Sequence, residues 1–134
     1  MEASVQRNEE LYRIVKRSKP DTLDAEGHPT SALFKDDIGV SVDRDGGRTE
    51  DRVLLDFRAR FEKRFKALVR IYAEVCFDNE MVVCPAPSMN NIYHAEIYDA
   101  LDIERQKPLS QLEALILADH SVVVAFDENI AWTR

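Results

Sequence analysis

The chain has 134 residues, 45% of them hydrophobic and 32% charged, with 18 Lys and Arg against 25 Asp and Glu and a formal net charge of −7. That length fits one domain with a core large enough to fold without metals or disulfides, and four Gly and five Pro with no low-complexity tract exclude a collagen-like or wholly disordered chain. No apolar run approaches the ~20 residues of a membrane helix, and MEASVQRNEE is polar where a signal peptide is apolar, so the expectation is a soluble, cytoplasmic protein with no membrane contact.

In chain order, residues 1–8 read as a flexible leader and 9–126 as a single domain. Residues 10–17 mix β-branched and aromatic side chains with charges, as a half-buried strand does. Pro20 and the polar run to Pro29 form a loop, after which Thr30 or Ser31 caps a short helical turn through Ala32, Leu33 and Phe34. Residues 38–43 alternate as a second strand, closed by Asp45-Gly46-Gly47, whose residues accept positive φ.

The spacing of Leu54, Phe57, Phe61, Phe65 and Leu68 predicts a helix over 50–67, with Thr49, Glu50 and Asp51 suited to its N-terminus and bases gathered toward its C-terminus. From Val69 to Phe77 the period drops to two, which predicts a strand, and Asp78-Asn79-Glu80 turns it into a hairpin with residues 81–84. Cys76 and Cys84 then flank the turn, where they can face each other, though without a secretory signal they are expected to be reduced. Residues 88–91 are loop, and 93–98 fit a strand or a helix start equally. Pro108 suits a helical first turn, and Leu112, Leu115 and Ile116 read as the buried stripe of a second helix through Ala118. Residues 121–126 read as a buried strand, and 127–134 as a tail in which Trp132 can dock. The fold expected is α+β, a single compact domain of four to six strands, mostly antiparallel or mixed, with two main helices.

Charge is uneven along the chain: residues 1–30 sum to −1, 31–66 to +1 and 67–134 to −7. An acidic half repels phosphate backbones and offers contact surface to a protein partner. The bases at 58–66 interleave with phenylalanines, which raises RNA binding through a basic helix as a further reading, although helical spacing puts the rings in the core and the bases on a solvated face. His28, His94 and His120 show no zinc spacing, and no Cys-x-x-Cys pair is present, so no metal is expected. No Gly-rich phosphate loop, Gly-x-Ser-x-Gly elbow or His-Glu-x-x-His occurs. His94 and Glu96 are the most suggestive local pair, because in a strand they share a face about 7 Å apart and the acid can orient the imidazole. The competing reading has His94 bonded to the 88–91 loop and Glu96 solvated. His28 lies in an exposed loop, and His120 is placed to cap a helix C-terminus.

Leu11-Tyr12-Arg13, Thr30-Ser31-Ala32-Leu33-Phe34, Gly39-Val40-Ser41-Val42-Asp43 and Tyr93-His94-Ala95-Glu96-Ile97 resemble, in that order, segments of a set of small bacterial proteins with no assigned activity. The resemblance implies a bacterial origin and one domain. A looser one is to the ADP-ribosyltransferase and RES-toxin group, whose Arg on the first strand, Ser or Tyr on a later strand and late Glu correspond in chain order to Arg13, Ser41 and Glu96. It implies that Arg13 holds the phosphate of NAD and Glu96 stabilises a ribosyl cation. The reading favoured by the sequence is a protein-binding module that needs no cofactor. The alternative is an NAD-consuming enzyme using Arg13, Ser41, His94 and Glu96.

Overall fold

The computed structural model describes residues 3–101 and 107–127. Its strands are β1 (Glu10–Lys16), β2 (Val40–Arg44), β3 (Phe65–Tyr72), β4 (Met81–Pro85), β5 (His94–Asp99) and β6 (Val122–Phe126), and its helices are α1 (Glu50–Phe61), α2 (Ala73–Asp78) and α3 (Gln111–His120). The strands form one sheet in the order β4-β5-β2-β1-β3-β6, antiparallel throughout. The domain is α+β, as its composition of periods implied.

Strand alternation assigns two faces. Tyr12 and Ile14 of β1 meet Val53 and Phe57 of α1, with Phe65 and Leu68 of β3, in one apolar layer. Leu11 and Val15, Val40 and Val42, Ala67, Val69 and Ile71, and Ala95 and Ile97 face the other way, against α2, α3 and the 3₁₀ turn Ser31–Phe34. Full burial of side chains such as Val53 and Phe57 stabilises by about 1.5–3 kcal/mol each. Because α1 covers β1 and β3, the α1 side of β2, β5 and β4 is left more open, with Ser41 exposed and His94, Glu96 and Tyr98 half-buried.

Several expectations are corrected. The first helix ends at Phe61, followed by a 3₁₀ turn (Glu62–Arg64) in which Glu62 takes a positive φ, and β3 starts at Phe65. A bulge explains the misleading spacing: Lys16 pairs with Phe65 and Val15 with Ala67, so Lys66 is extra and Phe65 and Leu68, three apart, share the α1 face. A stripe at helical spacing thus continues into a strand.

The strand over 69–77 stops at Tyr72, and residues 73–78 are helical. Ala73 and Cys76 are fully buried while Val75 and Phe77 pack on the same core, and Glu74 and Asp78 share the exposed side with Arg7, so a helix with a broad apolar face produced the alternation by accident. β3 and β4 therefore form no hairpin: the chain turns from α2 into β4 at Asn79 and Glu80, where Glu80 adopts φ +60, and β4 pairs with β5 across the loop at 86–93. Cys76 lies on α2 and Cys84 on β4, and both are free thiols.

α3 buries Ala114, Leu117 and Ala118; of the expected stripe only Ile116 packs on the core, and Leu112 and Leu115 are exposed. Its start is fixed by a capping box in which the Ser110 hydroxyl accepts from the Glu113 amide and the Glu113 carboxylate accepts from the Ser110 amide, rather than by Pro108. β6 is a half-exposed edge strand rather than a buried one. Nor are residues 3–8 a free leader, since Val5 joins the core and Arg44 donates to the carbonyl of Ala3 at 2.7 Å. Asp127 pairs with Arg17. The rest of the expected tail, Trp132 included, lies outside the described residues.

Candidate functional site

β1 and β2 pair at only two positions, Leu11 with Arg44 and Tyr12 with Asp43, whereas β1 stays paired with β3 to Lys16 and β2 stays paired with β5 back to Val40. Beyond Tyr12 the sheet splits. The split opens a cleft of about 710 Å³ whose walls are the α1 face of β1, the outer turns of α1, the loop at 90–91, and the segment from Lys19 to Asp36.

Arg13 spans this split. By alternation it belongs with Leu11 and Val15 on the face away from α1, yet its guanidinium reaches across to β2: Nε donates to the Leu33 carbonyl at 2.7 Å, Nη1 to the Ser41 carbonyl at 2.8 Å and Nη2 to Asp36 at 2.8 Å. The side chain thus supplies a donor to a β2 carbonyl beside which β1 has turned away, and ties the 3₁₀ turn to the sheet.

Ser41 pairs in register with Glu96, and Asp43 with His94, so all four lie on the α1 side of the sheet. His94 Nε2 stands 3.7 Å from the Glu96 carboxylate. Arg13, Ser41 and His94 line the cleft, while Glu96 is not among its walls. Glu96 instead neighbours Cys84 across β4 and β5 and lies by Gly39, where an added Cβ would stand 2.6 Å from the Tyr98 ring. The four residues nominated by the sequence therefore do not converge on one wall. Burial, and then the Glu96 charge, push the Cys84 thiol up, and burial pushes that of Cys76 up to about 12. Neither is a ready thiolate.

Asp43, which sequence reasoning passed over, organises the inner end. It is almost fully buried, and it accepts from both terminal nitrogens of Arg60, at 3.1 and 3.3 Å, and from Asn91 Nδ2 at 2.9 Å. One strand, one helix and one loop are thereby tied at a single carboxylate. A polar residue at an inward-facing strand position next to a basic helix is the signal that could have revealed it.

The cleft walls carry five basic side chains, Arg13, Lys16, Lys19, Lys35 and Arg60, against three acids, Asp21, Asp36 and Asp43. Arg13 with Asp36 and Arg60 with Asp43 are ion pairs, which leaves three lysines facing one aspartate in a molecule of net charge −7. Lys35 donates to the Leu109 carbonyl, and Lys16 lies 5.9 Å from the centre of the Phe61 ring. Among the described residues neither Lys16 nor Lys19 has an ion-pair partner.

A second groove of about 510 Å³ continues from the first, sharing Arg60, Asn90 and Asn91 with it. Its far end is apolar, with Met89 fully exposed and Ile92 half exposed. Tyr93 is held there by the Arg48 guanidinium, 3.5 Å above its ring and itself bonded to Asp56 at 2.8 Å.

The basic stripe expected over 58–66 is broken up. Arg58 donates to the Phe126 carbonyl at 3.0 Å and Arg60 is engaged with Asp43, while residues 62–66 are no longer α-helical. No group of three or more metal-ligating side chains occurs among the described residues, and no described helix is long and apolar enough to cross a membrane. Compared with family models, curated proteins and solved structures, the chain matches none.

Proposed function

We propose that this is a protein-binding module of the bacterial cytoplasm, and that its two connected grooves take an extended acidic segment of a partner protein. The observation that carries the reading is the excess of lysines in the cleft of an acidic molecule, continuous with a groove ending at Met89, Ile92 and Tyr93. Acidic side chains of the segment meet Lys16, Lys19 and Lys35, and an apolar side chain that follows them rests on the far groove. The resemblance to small bacterial proteins supports the origin, and two free thiols suit a reducing compartment.

Ribosyl transfer needs a free Arg and a Glu on one pocket wall. Arg13 is engaged by three acceptors and Glu96 lies outside the cleft, so the geometry favours binding over that chemistry.

The test is fluorescence anisotropy with a labelled peptide of alternating Asp and Glu followed by Leu. Binding is expected to weaken with added salt and to fall by about tenfold in the Lys16→Glu, Lys19→Glu double variant. Equal affinity for the variant, or for a peptide with Asn and Gln in place of the acids, would overturn the reading.

A further inference from the structure

Three cations surround one ring at the cleft rim. The Lys16 ammonium lies 5.9 Å, the Arg60 guanidinium 4.9 Å and the Arg64 guanidinium 5.1 Å from the centre of the Phe61 ring. They arrive from three different segments: the end of β1, the last turn of α1 and the 3₁₀ turn after it. Of the three, only Arg60 has a carboxylate partner among the described residues, and that partner, Asp43, lies on the inner side.

The ring face is attractive to a cation, but an aromatic ring offsets mutual repulsion among three only in part. α1 contributes the partial negative charge of its C-terminus, which accounts for one or two bases there and not for Lys16, which comes from the sheet. Lys16 and Arg64, the two cations at this ring that no described carboxylate balances, are what an oxyanion at the mouth of the cleft requires, and Arg64 carries a guanidinium fork suited to its oxygens, whereas the Arg60 fork is already taken by Asp43.

We propose that the acidic segment taken by the cleft carries a phosphorylated side chain, and that Lys16 and Arg64 hold its phosphate at the Phe61 rim, beside the Asp43-bound Arg60. This rests on the binding reading above and specifies its ligand. A carboxylate brings one negative charge to the rim, whereas a phosphate monoester brings ≈ −1.5 to −2 at pH 7 and three acceptor oxygens. Arg64 separates the two statements, because it adjoins Phe61 at the rim but is not one of the cleft walls.

The experiment compares, on the intact protein, two labelled peptides identical except for phosphoserine or Glu at one position within the acidic run. The phosphopeptide is expected to bind about tenfold more tightly. In Arg64→Gln that preference is expected to collapse, while affinity for the Glu peptide stays within about twofold. Lys16→Gln provides a second variant, expected to reduce the preference likewise, and an unchanged circular-dichroism spectrum confirms folding of each. Equal binding of the two peptides overturns the phosphate proposal and leaves the acidic-segment reading standing. Failure of both peptides to bind overturns both. Displacement of the phosphopeptide by a short single-stranded RNA at comparable concentration would assign the rim to nucleic acid and overturn the proposal.

Discussion

At the scale of single residues, Tyr12 shows how much of this chain's polar chemistry is buried with purpose. Its ring is fully buried beneath α1, and its hydroxyl lies between Glu10, with which it makes a short contact, and Glu50 at 3.3 Å. Burial, followed by these two carboxylates, drives the phenol pKa far upward, so the hydroxyl stays protonated and its single proton serves two acceptors. Arg70 compensates by donating to Glu50 at 2.7 Å. Tyr12→Phe keeps the packing and removes the donor, and is expected to destabilise by about 1–3 kcal/mol in urea unfolding, with an unchanged m-value. An unchanged midpoint would mean that the hydroxyl contributes nothing to stability.

Among the sequence candidates, His94 and Glu96 were placed on one face by the period of two, and the strand bears this out with a contact of 3.7 Å. What the period could not give was the site's membership. Arg13 lies on the opposite sheet face from Ser41 and still reaches the Ser41 carbonyl, because β1 and β2 separate after two paired positions. The length of a side chain crossing a split sheet is not encoded in any local pattern. For Asp43 the inward strand position was readable but the hub was not, since its partners Arg60 and Asn91 come from segments 17 and 48 positions away.

At the scale of elements, the legible ones were those whose local signals agreed. β1 and α1 began where alternation and the Thr49 cap placed them. The failures have identifiable causes: the bulge at Lys66 gave a strand helical spacing, and the broad apolar face of α2 gave a helix strand spacing. The capping box at α3 was present in the sequence as Ser110-Gln111-Leu112-Glu113 and marks the true start better than Pro108.

That box also carries a titratable strain. Burial first, and then a hydrogen bond with Asp99, raise the Glu113 carboxyl pKa above the ordinary carboxylate range. An acid raised in the folded state contributes stability at pH below its unfolded value and loses it as pH rises through the folded one. Glu113→Gln keeps an acceptor for the Ser110 amide and removes the charge. It is expected to raise the melting temperature at pH 8, with the difference shrinking toward pH 4. A lower melting temperature at pH 8 would show that the ionised carboxylate is the better cap. The Glu9 carboxyl shifts oppositely: burial is the largest influence and would raise its pKa, but the Arg44 hydrogen bond, the Gln6 amide and the Arg44 charge together outweigh burial and lower it, so its contribution is lost as pH falls.

At the scale of the whole molecule, the stretch of chain that carries the acidic excess is not the one that supplies the bases of the proposed binding cleft. Charge summed along the sequence put all of the −7 in residues 67–134 and suggested an acidic contact surface. Folding gathers Arg13, Lys16 and Lys19 from the first 30 residues with Lys35 and Arg60 from the next segment into one cleft, where local sums near zero concealed a basic surface. On the binding reading proposed above, the acidic remainder would repel acidic ligands elsewhere, favouring the cleft by contrast as well as by contact.

The most direct measurement of that claim is a residue-resolved titration. With ¹⁵N-labelled protein and the acidic peptide, amide shifts are expected to concentrate at Ile14–Lys19, Lys35, Asp36, Arg60, Phe61 and residues 89–93. Shifts concentrated instead on α3 around Leu112 and Leu115, with the cleft amides unmoved, would contradict the account.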